Sequence, residues 1–158
     1  MAVPSSVESL PKRTFAAGEA LMEEGGTSHK LLFLAKGTVE VTKQGVSITK
    51  VRERGAMFGE MSVLLDCPHT ATVTALDEVE CYIADDGAAF FETHADVVLY
   101  VSRILARRLE SLNRYLIDVK AQFAEQEGHL GMVDGVLEAL MSRHPKKAPA
   151  PPVGGAGQ

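Results

Sequence analysis

The chain carries two short runs that decide its fold, Phe58-Gly59-Glu60-Met61-Ser62-Val63-Leu64-Leu65 and Pro68-His69-Thr70-Ala71-Thr72-Val73. The first run places a glycine before a short helical pattern, and the start of a helix offers backbone N–H groups and a positive dipole end to an anion. The carboxylate of Glu60 accepts hydrogen bonds from hydroxyl groups. Together these groups suit a small anionic ribonucleotide.

The segment around these runs reads as a set of short strands. Apolar residues alternate between regularly spaced glycines at Leu31, Phe33 and Ala35, at Val39 and Val41, at Val46, Ile48 and Val51, at Ala71, Val73 and Ala75, and at Val79, Cys81 and Ile83. A turn is expected at Gln44-Gly45, and the glycines are expected to adopt positive φ. The pattern predicts an α+β protein, mainly β, built on a small antiparallel barrel or jelly roll.

The periodicity becomes helical after Asp85-Asp86, which can act as an N-cap. A short helical segment follows, and a long helix is expected from about Ala95. Three glycines further on, Gly128, Gly131 and Gly135, each cost about 1 kcal/mol in a helix interior, so we expect a break near Gly128.

Six apolar residues of the long helix recur at alternating steps of four and three, namely Leu105, Leu109, Leu112, Leu116, Val119 and Phe123. Such a heptad seam either packs on the protein's own barrel or pairs with a second copy. We expect a parallel homodimer through residues 105–123. The later segment 129–143 has apolar residues at helical spacing, and it is a candidate surface for a protein partner.

The order of these features resembles the cyclic-nucleotide-binding domain family, the sensor fold shared by catabolite activator protein and cyclic-nucleotide-dependent kinases. The resemblance covers roughly residues 10 to 125. It implies an antiparallel jelly-roll barrel with an N-terminal helical segment, a short cassette helix and a long C-terminal dimerisation helix. The expected organisation is the barrel with flanking short helices over 1–94, the long helix over 95–127, a short amphipathic helix over 128–143 and a disordered tail over 144–158.

At matching positions the resemblance implies a site for cAMP or cGMP, with no other cofactor and no metal. Its residues are Phe58, Gly59, Glu60, Met61, Ser62, His69, Thr70, Ala71 and Asn113. The amides of Met61 and Ser62 would bind the cyclic phosphate, while Glu60 and the Gly59 backbone would hold the ribose. The alternative role for Glu60 is stabilisation of the helix dipole.

His69 departs from the family pattern, which has an arginine at this position. Losing one charge-assisted contact costs about 1.5–3 kcal/mol, or roughly one to two decades in affinity. A bound phosphate would raise the pKa of His69, so binding should strengthen as the pH falls. The alternative is a dimeric adaptor that kept the fold and lost its ligand.

Three further readings stay open. Thr70 matches a position where cGMP-preferring members often carry threonine, or it is an ordinary strand residue. Asn113 contacts a base or lies exposed on its helix. The pair Cys67 and His69 resembles the haem ligands of carbon-monoxide sensors in the same superfamily, which gives a haem-based sensor as a minor alternative.

Composition excludes several classes. The 158 residues, 46% of them hydrophobic, fit one globular domain, and a net charge of −5 argues against a surface that grips nucleic acid throughout. Cys67 and Cys81 form no disulfide or zinc pattern, and Cys81 is expected in the core.

The sequence shows no catalytic constellation, so we expect no enzyme activity. Without a signal peptide or membrane span, we expect a cytoplasmic protein. No basic recognition helix fits after Glu127, so we expect no DNA binding.

Overall fold

A computed structural model describes residues 1–123 and 127–142 of the chain. The helices in this part are α1 (Ser5–Glu8), α2 (Glu60–Leu65), α3 (Gly87–Thr93), α4 (Ala95–Gln122) and α5 (Glu127–Met141). The strands are β1 (Lys12–Phe15), β2 (Ala20–Met22), β3 (Leu31–Lys36), β4 (Val39–Lys43), β5 (Val46–Val51), β6 (Met57–Phe58), β7 (Thr72–Ala75) and β8 (Val79–Ala84).

The strands form two four-stranded antiparallel sheets, in the orders β1-β8-β3-β6 and β2-β7-β4-β5. Both sheets contribute to one apolar core, formed by Phe15, Met22, Leu32, Leu34, Val39, Phe58, Val73, Ala75, Val79 and Cys81. Most neighbouring strands are distant in sequence, as in a jelly roll. The predicted antiparallel jelly roll is confirmed. Within the described residues the strands of this jelly roll are arranged as two facing sheets.

Strand β3 is buried on both faces, which the alternation of Leu31, Phe33 and Ala35 does not predict. Leu32 and Leu34 belong to the core between the sheets, whereas Leu31 and Phe33 are buried on the opposite face of the strand. A Cβ added to Gly87, the first residue of α3, would lie 2.8 Å from Leu31 Cγ. Helix α3 therefore begins against the outer face of β3, and a strand covered on both sides loses the simple alternation.

Local signals in the sequence are confirmed at several turns and caps. Gln44 and Gly45 both adopt positive φ, 51° and 77°, in the hairpin between β4 and β5. The side chain of Asp86 caps α3 by accepting a hydrogen bond of 3.0 Å from Ala89 N. Cys81 is fully buried, and this burial raises the pKa of its thiol to about 12.

Residues Met1 to Arg103 form one compact unit, which includes the first turns of α4. Val97, Tyr100 and Val101 of α4 are buried in this unit. The N-terminal residues also hold it, since Ser6 Oγ donates a hydrogen bond of 2.7 Å to Asp96 Oδ2. The start of α4 is thereby fixed to the sandwich.

Residues from Ile104 onward form a second unit. Helix α4 ends at Gln122, before the expected end at 127, and Gly128, Gly131 and Gly135 lie inside α5. Lys120 forms an ion pair with Asp134, although 14 residues of continuous helix would separate them by about 21 Å. Helices α4 and α5 therefore contact each other at these two residues and do not form one continuous helix. The expected tail over 144–158 lies outside the described residues.

The heptad seam of α4 is only partly covered within the second unit. Leu105, Leu116 and Val119 are half-buried, whereas Leu109, Leu112 and Phe123 remain 40%, 43% and 42% exposed. These three apolar side chains are therefore only partly covered within the described residues. Among the described helices, none combines the length and the apolar character needed to cross a bilayer.

Candidate ligand-binding site

Gly59 sets the direction in which α2 leaves β6. Its φ is +91°, and a Cβ at this position would collide with the carbonyl oxygen of Lys30 and lie 2.8 Å from Met22 Cε. Only glycine fits both the backbone conformation and the space. At its other side, α2 packs on α3, where Val63 Cγ2 would be 2.7 Å from a Cβ on Gly87.

The first turn of α2 brings two polar side chains inside the protein. Glu60 is 5% exposed and Ser62 is 2% exposed, whereas the side chain of Met61 is largely open to solvent. The N–H groups of Met61 and Ser62 lie in the turn of the helix where intrahelical acceptors are missing. A carboxylate and helix-start amides thus occupy the same short stretch.

The imidazole of His69 lies between two serine hydroxyls. Its Nε2 is 2.8 Å from Ser28 Oγ and its Nδ1 is 3.1 Å from Ser62 Oγ. The histidine is only 4% exposed. Ser28 was not among the predicted site residues. Its partner is 41 residues away in sequence, so only the folded chain shows the contact.

The backbone fixes this arrangement by joining the loop over 23–28 to the start of β7. Gly25 N donates to His69 O and His69 N donates to Gly26 O, both at 2.8 Å, while Glu24 N donates to Thr72 Oγ1 at 2.9 Å. A Cβ on Gly26 would lie 3.2 Å from His69 Cδ2, so the loop packs closely on the ring. These bonds hold the loop that carries Ser28 against the segment that carries His69.

Burial of the ring lowers the pKa of His69 below its ordinary value of 6.5. A hydrogen bond with the Ser28 main chain opposes this effect, and the nearby charge of His29 adds to it. The imidazole is therefore uncharged at pH 7. The arginine of the resembled family would be a permanent cation at this position. With a neutral His69, the site lacks that positive charge.

Comparison with known proteins gives the family. Residues 12–91 match the family described as "Cyclic nucleotide-binding domain", which is half of the chain. The chain belongs to this family. The match includes the strands of the sandwich, α2 and most of α3.

The relatives of this cyclic nucleotide-binding domain include protein kinases and transcriptional regulators. The cGMP-dependent protein kinase egl-4 of Caenorhabditis briggsae is 28% identical over 122 residues, which are 72% of this chain and 16% of the kinase. The regulatory subunit of cAMP-dependent protein kinase from Eremothecium gossypii is 29% identical over 97 residues, 61% of this chain and 21% of that subunit. The chain thus spans a small part of these relatives.

A solved structure supports the same fold. The Catabolite Activator Protein of Thermus thermophilus superposes with a TM-score of 0.61 at 22% identity, covering 73% of this chain and 57% of that one. At this identity the likeness establishes the fold alone. The two-sheet sandwich with its flanking helices is therefore the cyclic nucleotide-binding fold.

The remaining predicted residues lie in different environments. Phe58 belongs to the sandwich core, so it packs against apolar neighbours. Thr70 is exposed and Ala71 is half-buried beside His69. Asn113 lies in the second unit, and its Oδ1 is buried without a hydrogen-bond partner in the described part of the chain. Ligand contacts by all these residues stay predictions.

Cys67 and His69 have separate hydrogen-bond partners. Cys67 Sγ lies 3.8 Å from the carbonyl oxygen of Met61, whereas both ring nitrogens of His69 have serine partners. Iron ligation would require His69 to give up one of these bonds. The geometry offers the haem alternative no support.

Proposed function

We propose that this cyclic nucleotide-binding domain is a non-catalytic sensor of cAMP or cGMP that acts through its C-terminal helix. The observation that carries the proposal is the buried carboxylate of Glu60, which follows the positive-φ Gly59 within the part of the chain that matches the family. In this site Glu60 and the Gly59 backbone hold the ribose, and the amides of Met61 and Ser62 hold the cyclic phosphate. The carboxylate of Glu60 can accept a hydrogen bond from a ribose hydroxyl.

The affinity is expected to be moderate, because the site lacks a permanent cation. The neutral His69 replaces a charge-assisted contact worth about 1.5–3 kcal/mol, so binding should be roughly one to two decades weaker than with an arginine. The choice between cAMP and cGMP depends instead on contacts to the base. Thr70 and Asn113 are the proposed base-contacting residues.

Signal output is proposed to pass through a homodimer formed by residues 105–123. Three seam residues remain exposed and share one heptad register in the sequence, namely Leu109 and Leu112 of α4 and Phe123, which directly follows this helix. Nucleotide would favour one of two helix arrangements by contacting them differently. The segment 129–143 is proposed as the surface for a protein partner.

A second candidate function is a dimeric adaptor without a ligand. It is favoured by the bonds of His69, because both ring nitrogens are satisfied by hydroxyls of the protein itself. A pocket that has replaced its phosphate-binding cation with internal hydrogen bonds keeps its shape without nucleotide. In this case the exposed seam of α4 would be the functional surface.

Isothermal titration calorimetry with cAMP and with cGMP at pH 7 separates the two functions. The sensor predicts measurable binding by the wild-type protein and tighter binding by His69→Arg. If only the His69→Arg variant binds nucleotide, the pocket is intact and lacks only its positive charge. If neither protein binds nucleotide, the sensor function is rejected in favour of the adaptor.

A further inference from the structure

Ser28 is an exposed residue whose hydroxyl contacts the buried ring of His69. Its hydroxyl lies 2.8 Å from Nε2, and the serine itself is exposed, whereas His69 and Ser62 are buried. The ring nitrogen Nε2 therefore has a partner at the protein surface, whereas Nδ1 has a buried one. The loop bonds between Gly25, Gly26 and His69 keep this serine in place.

The hydrogen bonds of Ser62 favour the His69 tautomer that carries its proton on Nδ1. Ser62 Oγ donates to Gly59 O at 3.3 Å and also lies 3.1 Å from His69 Nδ1. A hydroxyl has one proton to donate, so a Ser62 that donates to Gly59 accepts a bond from Nδ1–H. The neutral ring then has its lone pair on Nε2, which accepts the proton of Ser28. The nitrogen that can take up a proton faces Ser28.

We propose that Ser28, His69 and Ser62 form a proton-gated phosphate contact, in which the ligand's phosphate binds the Ser28 hydroxyl as His69 takes up a proton at Nε2. On protonation, Nε2–H donates to Ser28 Oγ, and the Ser28 hydroxyl turns its own proton toward a phosphate oxygen. One proton comes from solvent, and no bond of the ligand is broken. The inference rests on the proposed sensor function and concerns the regulation of that same site.

The charges around His69 decide the pH range of this uptake. The titratable groups between β2 and β3, on α2 and on the turn after α2 are Glu23, Glu24, His29, Lys30, Glu60, Asp66 and Cys67. Burial lowers the pKa of the free ring below 6.5, a hydrogen bond with the Ser28 main chain partly opposes this, and the charge of His29 adds to the lowering. A phosphate held through Ser28 favours the charged ring, so the pKa rises in the complex. Binding should therefore take up a proton between the two pKa values and strengthen as the pH falls through that window.

The first test concerns the protein without ligand. Long-range ¹H–¹⁵N correlation spectra of the histidine rings, recorded from pH 5 to pH 8, report the tautomer and the titrating nitrogen of His69. We expect the Nδ1–H tautomer, with Nε2 protonated below pH 6.5. An Nε2–H tautomer, or titration above 6.5, would overturn the inference and leave the proposed function untouched.

The second test measures cAMP binding by calorimetry at pH 6 and pH 8. Because one proton is linked to binding, we expect the wild-type affinity to rise about tenfold at pH 6, with proton uptake seen as a heat that depends on the buffer. Ser28→Ala should lose most of this rise, while Ser47→Ala, an exposed serine bonded to Glu40 instead, should keep it. A full pH dependence of binding in Ser28→Ala, or no pH dependence in the wild type, would reject the inference and leave the proposed function standing. Absence of cAMP binding at both pH values would reject the proposed function and this inference with it.

Discussion

The hydroxyl of Tyr100 donates a hydrogen bond of 2.9 Å to the carbonyl oxygen of Gly55, and the bond is buried. It ties the first turns of α4 to the loop before β6, which leads into Gly59 and α2. Gly55 itself has a φ of +87°, and a Cβ there would lie 2.7 Å from Val3 Cγ2. The loop, the N-terminal residues and α4 therefore meet at one glycine.

Tyr100→Phe should lower the free energy of unfolding by about 1–3 kcal/mol, because the Gly55 carbonyl loses its buried partner. Chemical denaturation measures the change. Tyr115→Phe is the matched control, since Tyr115 is 65% exposed and its hydroxyl is accessible to water. Equal effects of the two substitutions would contradict a stabilising role for the Tyr100 bond.

Gly59→Ala should destabilise the protein more than Gly18→Ala. Both glycines have positive φ, +91° and +86°, which costs an L-residue about 1–2 kcal/mol. At Gly18 a Cβ meets nothing within 4 Å, whereas at Gly59 it collides with Lys30 and Met22. The difference between the two unfolding free energies isolates the collision. Equal stability of the two variants would contradict the close contact between Gly59 and the Lys30 carbonyl.

The sequence allowed prediction of those parts of the fold that depend on local chemistry. The Asp86 cap, the Gln44-Gly45 turn and the positive φ of Gly59 each follow from residues within a few positions of one another. The jelly roll followed from the alternating segments and from the resemblance of the cassette. These features need no knowledge of distant contacts.

Long-range packing accounts for what the sequence did not predict. Leu32 and Leu34 face the core, yet β3 reads as a plain apolar run because α3 covers its other face. Ser28 has no distinguishing neighbours in sequence, and its contact with His69 arises only when the loop over 23–28 pairs with the start of β7. The expected break near Gly128 agrees with α4 ending at Gln122 and α5 beginning at Glu127, but the contact between Lys120 and Asp134 across it is visible only in the folded chain.

Glu60→Gln should weaken cyclic nucleotide binding by about ten- to a hundredfold, since a hydrogen bond to a charged group contributes about 1.5–3 kcal/mol. The substitution keeps the size of the buried side chain and removes its charge. Calorimetry with cAMP and cGMP measures the loss, and Glu92→Gln on the exposed surface of α3 is the control. Unchanged affinity in Glu60→Gln would assign this carboxylate to the helix dipole instead.

Leu112→Glu should dissociate the proposed homodimer, because it places a charge at a seam position of α4. Light scattering coupled to size exclusion measures the mass. Ile117→Glu provides a control on the same helix, since Ile117 is 57% exposed but lies off the heptad seam. A monomeric wild type, or equal effects of both substitutions, would contradict dimerisation through residues 105–123.

Protonation of His69 should make the ligand-free protein less stable at acidic pH. The pKa of His69 is lowered in the folded state, so below 6.5 the unfolded chain binds the proton more readily. The contribution to stability is complete above pH 6.5 and declines as the pH falls toward the folded pKa. The substitution His69→Gln removes this pH-dependent contribution, so the variant should lose less stability between pH 7 and pH 5 than the wild-type protein.

Because an anionic ligand favours the charged ring, cAMP should stabilise the wild-type protein more at pH 5.5 than at pH 7.5 in thermal unfolding. The opposite order would mean that the phosphate does not interact with His69.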